Sequence, residues 1–300
     1  MKVLCSGLNV VDLLVATPNR IKVGHKNECE KIVLQGGAPA GNAACALASL
    51  GFETYFLGYL GDNPLSVVAE NELKRHGVKD DLLFFRKEAS PAVAIVQVDE
   101  EGERTVLYSM ENYIPFSFLD IEDSQIEAFD LILVDGYDTE INLHLLRVAK
   151  RFGIPTVLDI EAGDMETMLQ MLKLSTHPIL PLECAQNITG AQNAETCLSK
   201  LSDLTEGQVV ITDGANGAYT MADEQLIHQP SFKVDVVDTT GCGDAFHAAY
   251  AAALLRGLNL KDRLEYGSFY ASQVAQHFGG RTFLPNHKFM EDNCPQLITD

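Results

Sequence analysis

The sequence predicts an α/β fold with a mostly parallel central sheet flanked by helices, and with a small additional β layer. Short runs of four to seven residues that are apolar throughout alternate with longer segments whose apolar residues have helical spacing. Continuous apolar runs are typical of strands that are covered on both faces. The strand–helix–strand alternation favours a parallel sheet with helices on both sides.

The predicted strands, in chain order, are the runs KVLCSGL, TYFLG, DLILVD, PTVLD, PILPL and QVVITD. The predicted helices cover, in order, Pro39–Leu50, Leu65–His76, Ile141–Phe152, Asp164–Leu174 and Ala194–Leu204. No internal repeat, low-complexity run or linker interrupts the chain, so we expect a single domain over residues 1–300.

Two stretches, residues 15–34 and 91–108, instead alternate apolar and polar residues, as half-exposed strands do. The second stretch contains a predicted hairpin turn at Glu100-Glu101-Gly102. A sheet with one uncovered apolar face needs a partner. We therefore expect these strands to form a β lid that covers a cleft, pairs with another subunit, or both.

Composition excludes several classes of function. The formal charge of −20 argues against binding to nucleic acid or to an anionic membrane, because both need clustered Lys and Arg. The start of the chain lacks the features of a signal peptide, and no apolar run approaches the roughly 20 residues that span a bilayer. The seven cysteines are scattered without a CxxC pair, which favours free thiols in a reducing cytoplasm.

The segment VVDTTGCGDAFHAAYAAALLRG, residues 236–257, runs from a strand-like stretch through a glycine turn into a predicted helix. We expect the helix to begin near Asp244 or Ala245 and to end at Gly257 in a left-handed cap. Gly241 and Gly243 allow a tight turn whose N–H groups, with the helix dipole, form a site for an anion. The Asp244 carboxylate either caps the helix only or accepts a proton from a bound hydroxyl.

The stretch DTTGCGDAF resembles the C-terminal signature of the ribokinase family, the PfkB carbohydrate kinases. This resemblance implies a ribokinase-like fold and ATP-dependent phosphorylation of a sugar hydroxyl, with Asp244 as the catalytic base. It implies that Gly241, Cys242 and Gly243 supply amides to the transferred phosphate. It also implies that Asp238 and Thr240 help to hold a monovalent cation such as K⁺.

A second signature, GGAPAGNAACALASLG, covers residues 36–51. By itself the stretch fits a closely packed strand–helix unit, but it also resembles the N-terminal signature of the same family. The resemblance implies that Gly36 and Gly37 form a hinge for the lid and line the sugar site, and that Asn42 binds sugar hydroxyls. Asp12, which we place after the first strand, matches the acceptor of a sugar hydroxyl.

The prediction of a nucleotide-binding site depends on the segment VVITDGANGAYT, residues 209–220. This segment is similar to the family segment that contacts the ATP phosphates and ribose, which implies roles for Thr212, Gly214 and Gly217. No Walker A sequence occurs, so phosphate binding of the P-loop kind is excluded.

The chain departs from the family in the motif that organises Mg²⁺. Many members carry Asn-x-x-Glu, whereas Pro181 and Cys184 stand at those two places here. Glu183 is adjacent, but its side chain would point elsewhere on a helix. ATP chemistry still requires Mg²⁺, and the sequence leaves its ligands open.

The run HQPSFKVDVVDTTGCGD is most similar to the branch that contains sulfofructose kinase. That branch is expected to bind the sulfonate through an Arg and an Asn, and here Tyr137 and Tyr108 stand at those places. Lys26 could supply one cation, whereas Asp135 and Asp138 would repel an anion. We therefore expect a neutral monosaccharide or related polyol, with Tyr108 and Tyr137 stacking on its ring or packing only.

Three alternatives to a neutral-sugar kinase stay open. The first is a nucleoside kinase whose base pocket is formed by Phe84, Tyr108 and Tyr137. The second is a sulfofructose kinase-like enzyme, and the third is a non-catalytic sensor of sugar or nucleotide. In each case the partner is a small molecule, and a homodimer formed through the lid is expected.

Overall fold

The computed structural model describes residues 1–17, 22–99, 102 and 104–297. Within these ranges the strands are β1 (Lys2–Ser6), β2 (Val10–Ala16), β3 (Lys31–Gly37), β4 (Glu53–Leu60), β5 (Leu83–Phe85), β6 (Ala92–Val98), β7 (Arg104–Ser109), β8 (Leu131–Asp135), β9 (Thr156–Asp159), β10 (His177–Pro181), β11 (Val210–Thr212), β12 (Ala218–Ala222) and β13 (Gln225–Gln229). The helices are α1 (Pro39–Ser49), α2 (Pro64–Arg75), α3 (Asp123–Ile126), α4 (Thr139–Phe152), α5 (Met165–Leu174), α6 (Leu182–Thr189), α7 (Ala194–Ser202), α8 (Cys242–Leu255), α9 (Leu260–Val274) and α10 (His287–Asn293).

The central sheet has nine strands in the order β13-β12-β11-β10-β9-β8-β1-β4-β5. Neighbours from β11 to β5 pair in parallel, and β12 and β13 add an antiparallel edge. The predicted mostly parallel sheet is confirmed. Every predicted strand run and helix overlaps an observed element of the same type.

Successive residues of the central strands pack into two separate cores, because side chains alternate between the faces of a sheet. In β8, Leu131 and Leu133 join the core beneath α1, α8 and α9. Ile132 and Val134 join the core on the other face, beneath α4, α5, α6 and α7. Burial on both faces explains why these strands are continuously apolar.

A separate sheet of four strands has the order β3-β2-β6-β7. It corresponds to the predicted β layer, but its first two strands lie at 10–16 and 31–37 rather than within 15–34. The run VVDLLVA lacks simple alternation because Val10 and Leu14 are buried on one face and Val11 on the other, so its pattern concealed the strand. Asp12 does come after β1 in the chain, but it lies within β2 and not at the carboxyl end of a central strand.

Strands β6 and β7 pair antiparallel, with Val98 opposite Arg104, as the predicted hairpin requires. In the turn, the Gly102 N–H donates to the Asp99 carbonyl over 3.1 Å, whereas Glu100 and Glu101 lie outside the described residues. None of the helices in the described ranges is long and apolar enough to cross a membrane.

Helix α8 begins at Cys242, two to three residues before the expected start at Asp244 or Ala245, because Gly241 adopts a left-handed conformation (φ 77°) and serves as the N-cap. Asp244 therefore lies inside the first turn. Past the other end of the helix, Gly257 has φ 74°, which confirms the predicted left-handed cap.

Candidate active site

A crevice of about 170 Å³ lies between the four-stranded sheet and the ends of the central strands. Loops that follow β8 and β9 contribute Tyr137 and Glu161, so the crevice lies at the carboxyl edge of the parallel sheet, where ligands bind in open α/β folds. The full lining is Leu8, Val10, Asp12, Ala38, Pro39, Asn42, Ala94, Val96, Arg104, Val106, Tyr108, Tyr137, Glu161, Thr240, Gly241 and Asp244.

Asp244 faces this crevice from the first turn of α8 and is half-buried. Its Oδ2 accepts a hydrogen bond of 2.6 Å from Nδ2 of Asn42 on α1. The positive end of the helix dipole lies at this position and attracts negative charge. The structure therefore brings together the two side chains that the two signatures single out.

The glycine turn before Asp244 is open on the side of Gly243, where an added Cβ would meet no atom of the described residues within 4 Å. Gly241 is different, because a Cβ there would lie 2.8 Å from Cα of Gly280, in addition to the strain of its positive φ. The N–H groups of Gly243 and Asp244 lie in the first helical turn, which offers them no intrahelical acceptor. The Cys242 N–H already donates to the Thr239 carbonyl over 3.2 Å. It could donate to a phosphate, as the family resemblance implies, only if this hydrogen bond breaks.

The predicted cation residues lie directly behind this turn. Asp238 is fully buried, and its two carboxylate oxygens each accept a 2.8 Å hydrogen bond, from the N–H of Thr240 and of Gly279. The buried Thr240 hydroxyl has no hydrogen-bond partner among the described residues, which leaves one oxygen available to a ligand. Asp238 thus joins the glycine turn to the 279–281 loop.

Asp12 projects from β2 into the crevice and is only 6% exposed. Burial raises the pKa of its carboxyl to about 6, and the charge of Asp244 raises it further, whereas Arg281 and Arg104 oppose the shift. A Cβ on Gly37 would lie 1.9 Å from Asp12 Oδ2, so the glycine makes room for this carboxylate. Gly36 and Gly37 themselves do not line the crevice.

Tyr108 and Tyr137 line the crevice as expected for substrate-binding residues. The Tyr137 hydroxyl donates to Oε1 of Glu161 over 3.2 Å, and its pKa is raised chiefly by burial. Lys26 is exposed on the connection between β2 and β3 and does not line the crevice.

Asp135 and Asp138, which we expected to repel an anionic substrate, do not line the crevice either. Both are buried and accept hydrogen bonds from the protein, for example from the N–H of Leu8 and Tyr137 to Asp135 (2.9 Å each). Burial raises the pKa of both carboxyls, that of Asp138 to about 6. They fix loops around the site, and the electrostatic reasoning based on them was wrong.

Sequence reasoning missed four charged residues at or beside the site: Arg104, Asp159, Glu161 and Arg281. Arg104 precedes Tyr108 by four residues on β7, so period-2 alternation could have placed both on one face. Asp159 and Glu161 could have been found because they lie at or just after the end of β9, and ligands of parallel sheets bind at the carboxyl ends of the strands. Arg281 lies in a loop and carries no periodic signal.

Asp159 is buried at the end of β9, and the charges of Asp244 and Glu161 raise its pKa further than burial alone. Its Oδ2 lies 3.5 Å from Nδ1 of His247, one turn after Asp244 on α8. Cys184, at the family's Glu position, is buried, and this burial, with the charges of Glu161 and Asp159, raises the pKa of its thiol to about 11. Glu183 is exposed.

The predicted nucleotide residues lie apart from the crevice lining, at the β11–β12 turn. Thr212 ends β11, and Gly214 has a positive φ of 48°. A Cβ on Gly217 would lie 2.1 Å from the Gln229 carbonyl, so this glycine is required by packing against the neighbouring strand. Their contacts with a nucleotide stay a prediction.

Fold and site together define a kinase of the ribokinase-like class. The family profile of the pfkB carbohydrate kinases matches residues 1–287, and the chain belongs to that family. It is accordingly an ATP-dependent carbohydrate kinase.

Individual relatives agree with this placement. The ribokinase of Bacillus subtilis is 26% identical over 285 residues, which cover 94% of this chain and 95% of the relative. A candidate ribokinase from Agrobacterium tumefaciens superposes with a TM-score of 0.92 at 25% identity, covering 98% of this chain and 97% of that one. The Arabidopsis thaliana ribokinase complexed with ribose and ATP has a TM-score of 0.83 at 22% identity, covering 100% and 99%, and shows the shared fold.

Proposed function

We propose that the chain transfers the γ-phosphate of ATP to a hydroxyl of a neutral monosaccharide or related polyol. The observation that carries this proposal is the position of Asp244, half-buried in the crevice beside an open glycine turn. In the proposed step, the substrate hydroxyl gives its proton to the Asp244 carboxylate while its oxygen bonds to the γ-phosphorus. The bond from that phosphorus to the bridging oxygen of ADP breaks, and ADP leaves.

The other residues support binding and orientation. Asp12 presents carboxylate oxygens, and Asn42 an amide, to sugar hydroxyls. The amides of the 241–244 turn, at the positive end of α8, would stabilise the charge that spreads over the transferred phosphoryl group. We place ATP against the Thr212, Gly214 and Gly217 segment.

Mg²⁺ and K⁺ belong to this proposal as partners of ATP. Among the described residues, no group of three or more His, Cys, Asp or Glu forms a metal cage. Mg²⁺ in kinases needs only one or two carboxylates because nucleotide phosphates supply further ligands, and Asp159 and Glu161 fit that requirement. The unpartnered Thr240 hydroxyl fits a K⁺ ligand. When bound, these ions would neutralise phosphate charge.

The four-stranded sheet is proposed to act as a lid, since it forms one wall of the crevice and places Val96 and Val106 in the lining. Its other face carries a continuous row of apolar side chains: Leu34, Leu13, Ile95 and Leu107 are successive neighbours across the strands. Leu34 and Leu107 are 52% and 56% exposed. We propose that a second copy of the chain covers this row, forming a homodimer.

Sedimentation analysis of Leu34→Glu tests the dimer, with Leu119→Glu, at a position that is 79% exposed outside the row, as control. We expect a dimer for the wild type and the control and a monomer for Leu34→Glu. A wild type that sediments as a monomer would overturn the assembly. The free thiols and this small-molecule chemistry suit the cytoplasm, where we place the enzyme.

The catalytic proposal is tested by Asp244→Asn, with the exposed Asp203→Asn as a matched control. Product formation is measured by mass spectrometry after incubation with ATP, Mg²⁺ and a panel of ketoses, aldoses, polyols and nucleosides. Loss of the base should reduce turnover by about 10² to 10⁴-fold without loss of folding, whereas the control keeps wild-type turnover. Near-normal turnover by Asp244→Asn would refute the assigned role.

The same panel separates the alternatives. A base pocket for a nucleoside is weakened because Phe84 packs against Phe116, with ring centroids 5.1 Å apart, and does not line the crevice. A sulfonated or phosphorylated sugar is favoured by one observation, the presence of Arg104 in the lining. A sensor would bind without any sugar-dependent consumption of ATP.

A further inference from the structure

Arg281 is a buried cation that lies behind the site and not in its lining, and only 1% of it is exposed. Its Nε donates to Oδ1 of Asn42 over 2.7 Å, and its Nη2 donates to the Gly37 carbonyl over 2.8 Å. Its Nη1 has no hydrogen-bond partner within the described ranges, and there no carboxylate forms an ion pair with it. Burying a guanidinium without a direct ion pair costs folding free energy, so the stability of the fold does not explain why an arginine is buried here.

The glycines of the GGAPAG segment make the space for this guanidinium. A Cβ on Gly36 would lie 2.0 Å from Nη1, and a Cβ on Gly41 would lie 2.6 Å from Nη2. The guanidinium is held by its bonds to Asn42 and to the Gly37 carbonyl, so a Cβ at either glycine would have to displace it from those bonds. The N-terminal signature is therefore shaped around a side chain from the other end of the chain.

The bond from Arg281 fixes which way the Asn42 amide faces. Because Nε is a donor, it requires the amide oxygen on its side, and this leaves Nδ2 to donate to Asp244 Oδ2. A flipped amide would set an oxygen against the carboxylate and an NH₂ against the guanidinium. The three side chains thus form a directed series, from Arg281 through Asn42 to Asp244.

We propose that Arg281 is a positioning residue that acts through Asn42 to hold Asp244 with one oxygen engaged and the other free for the substrate hydroxyl. The inference rests on the proposed function, because it assigns Asp244 the role of base. The positive charge of Arg281 also acts on Asp12, so that two like-charged carboxylates can be held in one crevice.

The test is a double-mutant cycle with Arg281→Met, Asn42→Ala and the double variant. We expect Arg281→Met to lower kcat by about 100-fold, as a small displacement of a catalytic group does, with KM for ATP unchanged. If Arg281 acts through Asn42, adding Arg281→Met to Asn42→Ala should cost less than 3-fold more. If the double variant instead loses kcat by the product of the two single-variant losses, the proposal is overturned.

Arg256→Met is the matched control, since Arg256 donates to Tyr266 and to the Leu50 carbonyl away from the crevice. It should lose thermal stability and keep kcat. If Arg281→Met does not fold, Arg281→Lys replaces it: the charge is kept without the two directed N–H groups, and kcat should still fall at least 10-fold. Wild-type kcat in Arg281→Lys would overturn the proposal.

The two failures are distinguishable. If the wild-type protein shows no sugar-dependent phosphate transfer, both the proposed function and this inference are refuted. An active wild type whose Arg281 variants keep kcat, together with an inactive Asp244→Asn, removes only the role of Arg281.

Discussion

Replacing Asp12 with Asn should make the protein more stable at neutral pH while weakening catalysis. Burial raises the pKa of this carboxyl from an ordinary 3.8 to about 6, which means that the folded protein holds its ionised form at a cost. A shift of about 2 units at about 1.4 kcal/mol each corresponds to about 3 kcal/mol. The attraction of Arg281 and Arg104 is already included in that balance.

The sign of the pH dependence follows from the direction of the shift. Because the folded-state pKa is raised, the folded protein binds the proton more tightly than the unfolded chain does. The stability that this proton contributes is fully present below pH 3.8 and is lost as the pH rises through about 6. Asn resembles the protonated acid, so the gain from Asp12→Asn should be about 3 kcal/mol at pH 7.5 and close to zero at pH 4.

Urea denaturation of the unliganded protein at pH 4 and pH 7.5 measures both values, with the exposed Asp203→Asn as control. The control should change stability by less than about 0.5 kcal/mol at either pH. An Asp12→Asn protein that is less stable than the wild type at pH 7.5, or that gains equally at both pH values, would show that burial does not dominate at this carboxyl. KM for the sugar should rise at least 10-fold in the same variant.

Substitutions at two further positions test the framework of the site. Gly243→Ala should fold with wild-type stability, because its Cβ would meet no atom within 4 Å, yet lower kcat at least 10-fold by occupying the space in front of the turn; unchanged kcat would contradict an anion site there. Asp135→Ala should lower the free energy of unfolding by about 3 kcal/mol, because it leaves the N–H groups of Leu8 and Tyr137 without an acceptor. Asp135→Asn, which keeps one amide oxygen, should lose less in the same denaturation assay.

The central fold could be predicted from the sequence because its signal is local and repeated. Each central strand is buried on both faces, so each gives the same continuous apolar run, and the helices between them follow at regular spacing. The four-stranded sheet was placed less well. Its first strand, Val10–Ala16, has apolar neighbours on both faces at its start and a carboxylate in its third position, which resembles a loop that follows β1.

The charge distribution around the crevice could not be predicted, because it depends on which carboxylates the fold turns inward. Asp135 and Asp138 point into the protein, whereas Asp12, Glu161 and Asp244 line the crevice together with Arg104. On a chain of net charge −20, three acidic residues at the site disfavour a polyanion that arrives alone. The helix dipole, the open amides and the cation that accompanies ATP must therefore compensate for this potential.

The two family signatures contact each other in the fold, and the role of some of their residues is therefore not visible in either signature alone. The family resemblance implies a hinge at Gly36 and Gly37, and glycine permits such bending. In the fold, the space of Gly36 is filled by Arg281 and that of Gly37 by Asp12, so both positions are constrained by side chains that lie far away in sequence. Asn42 then joins Arg281 to Asp244, which lies 202 residues after Asn42 in the chain. When a glycine is required because another side chain occupies the space of its Cβ, the adjacent sequence does not reveal that requirement. The arrangement of this site depends on such pairs of residues.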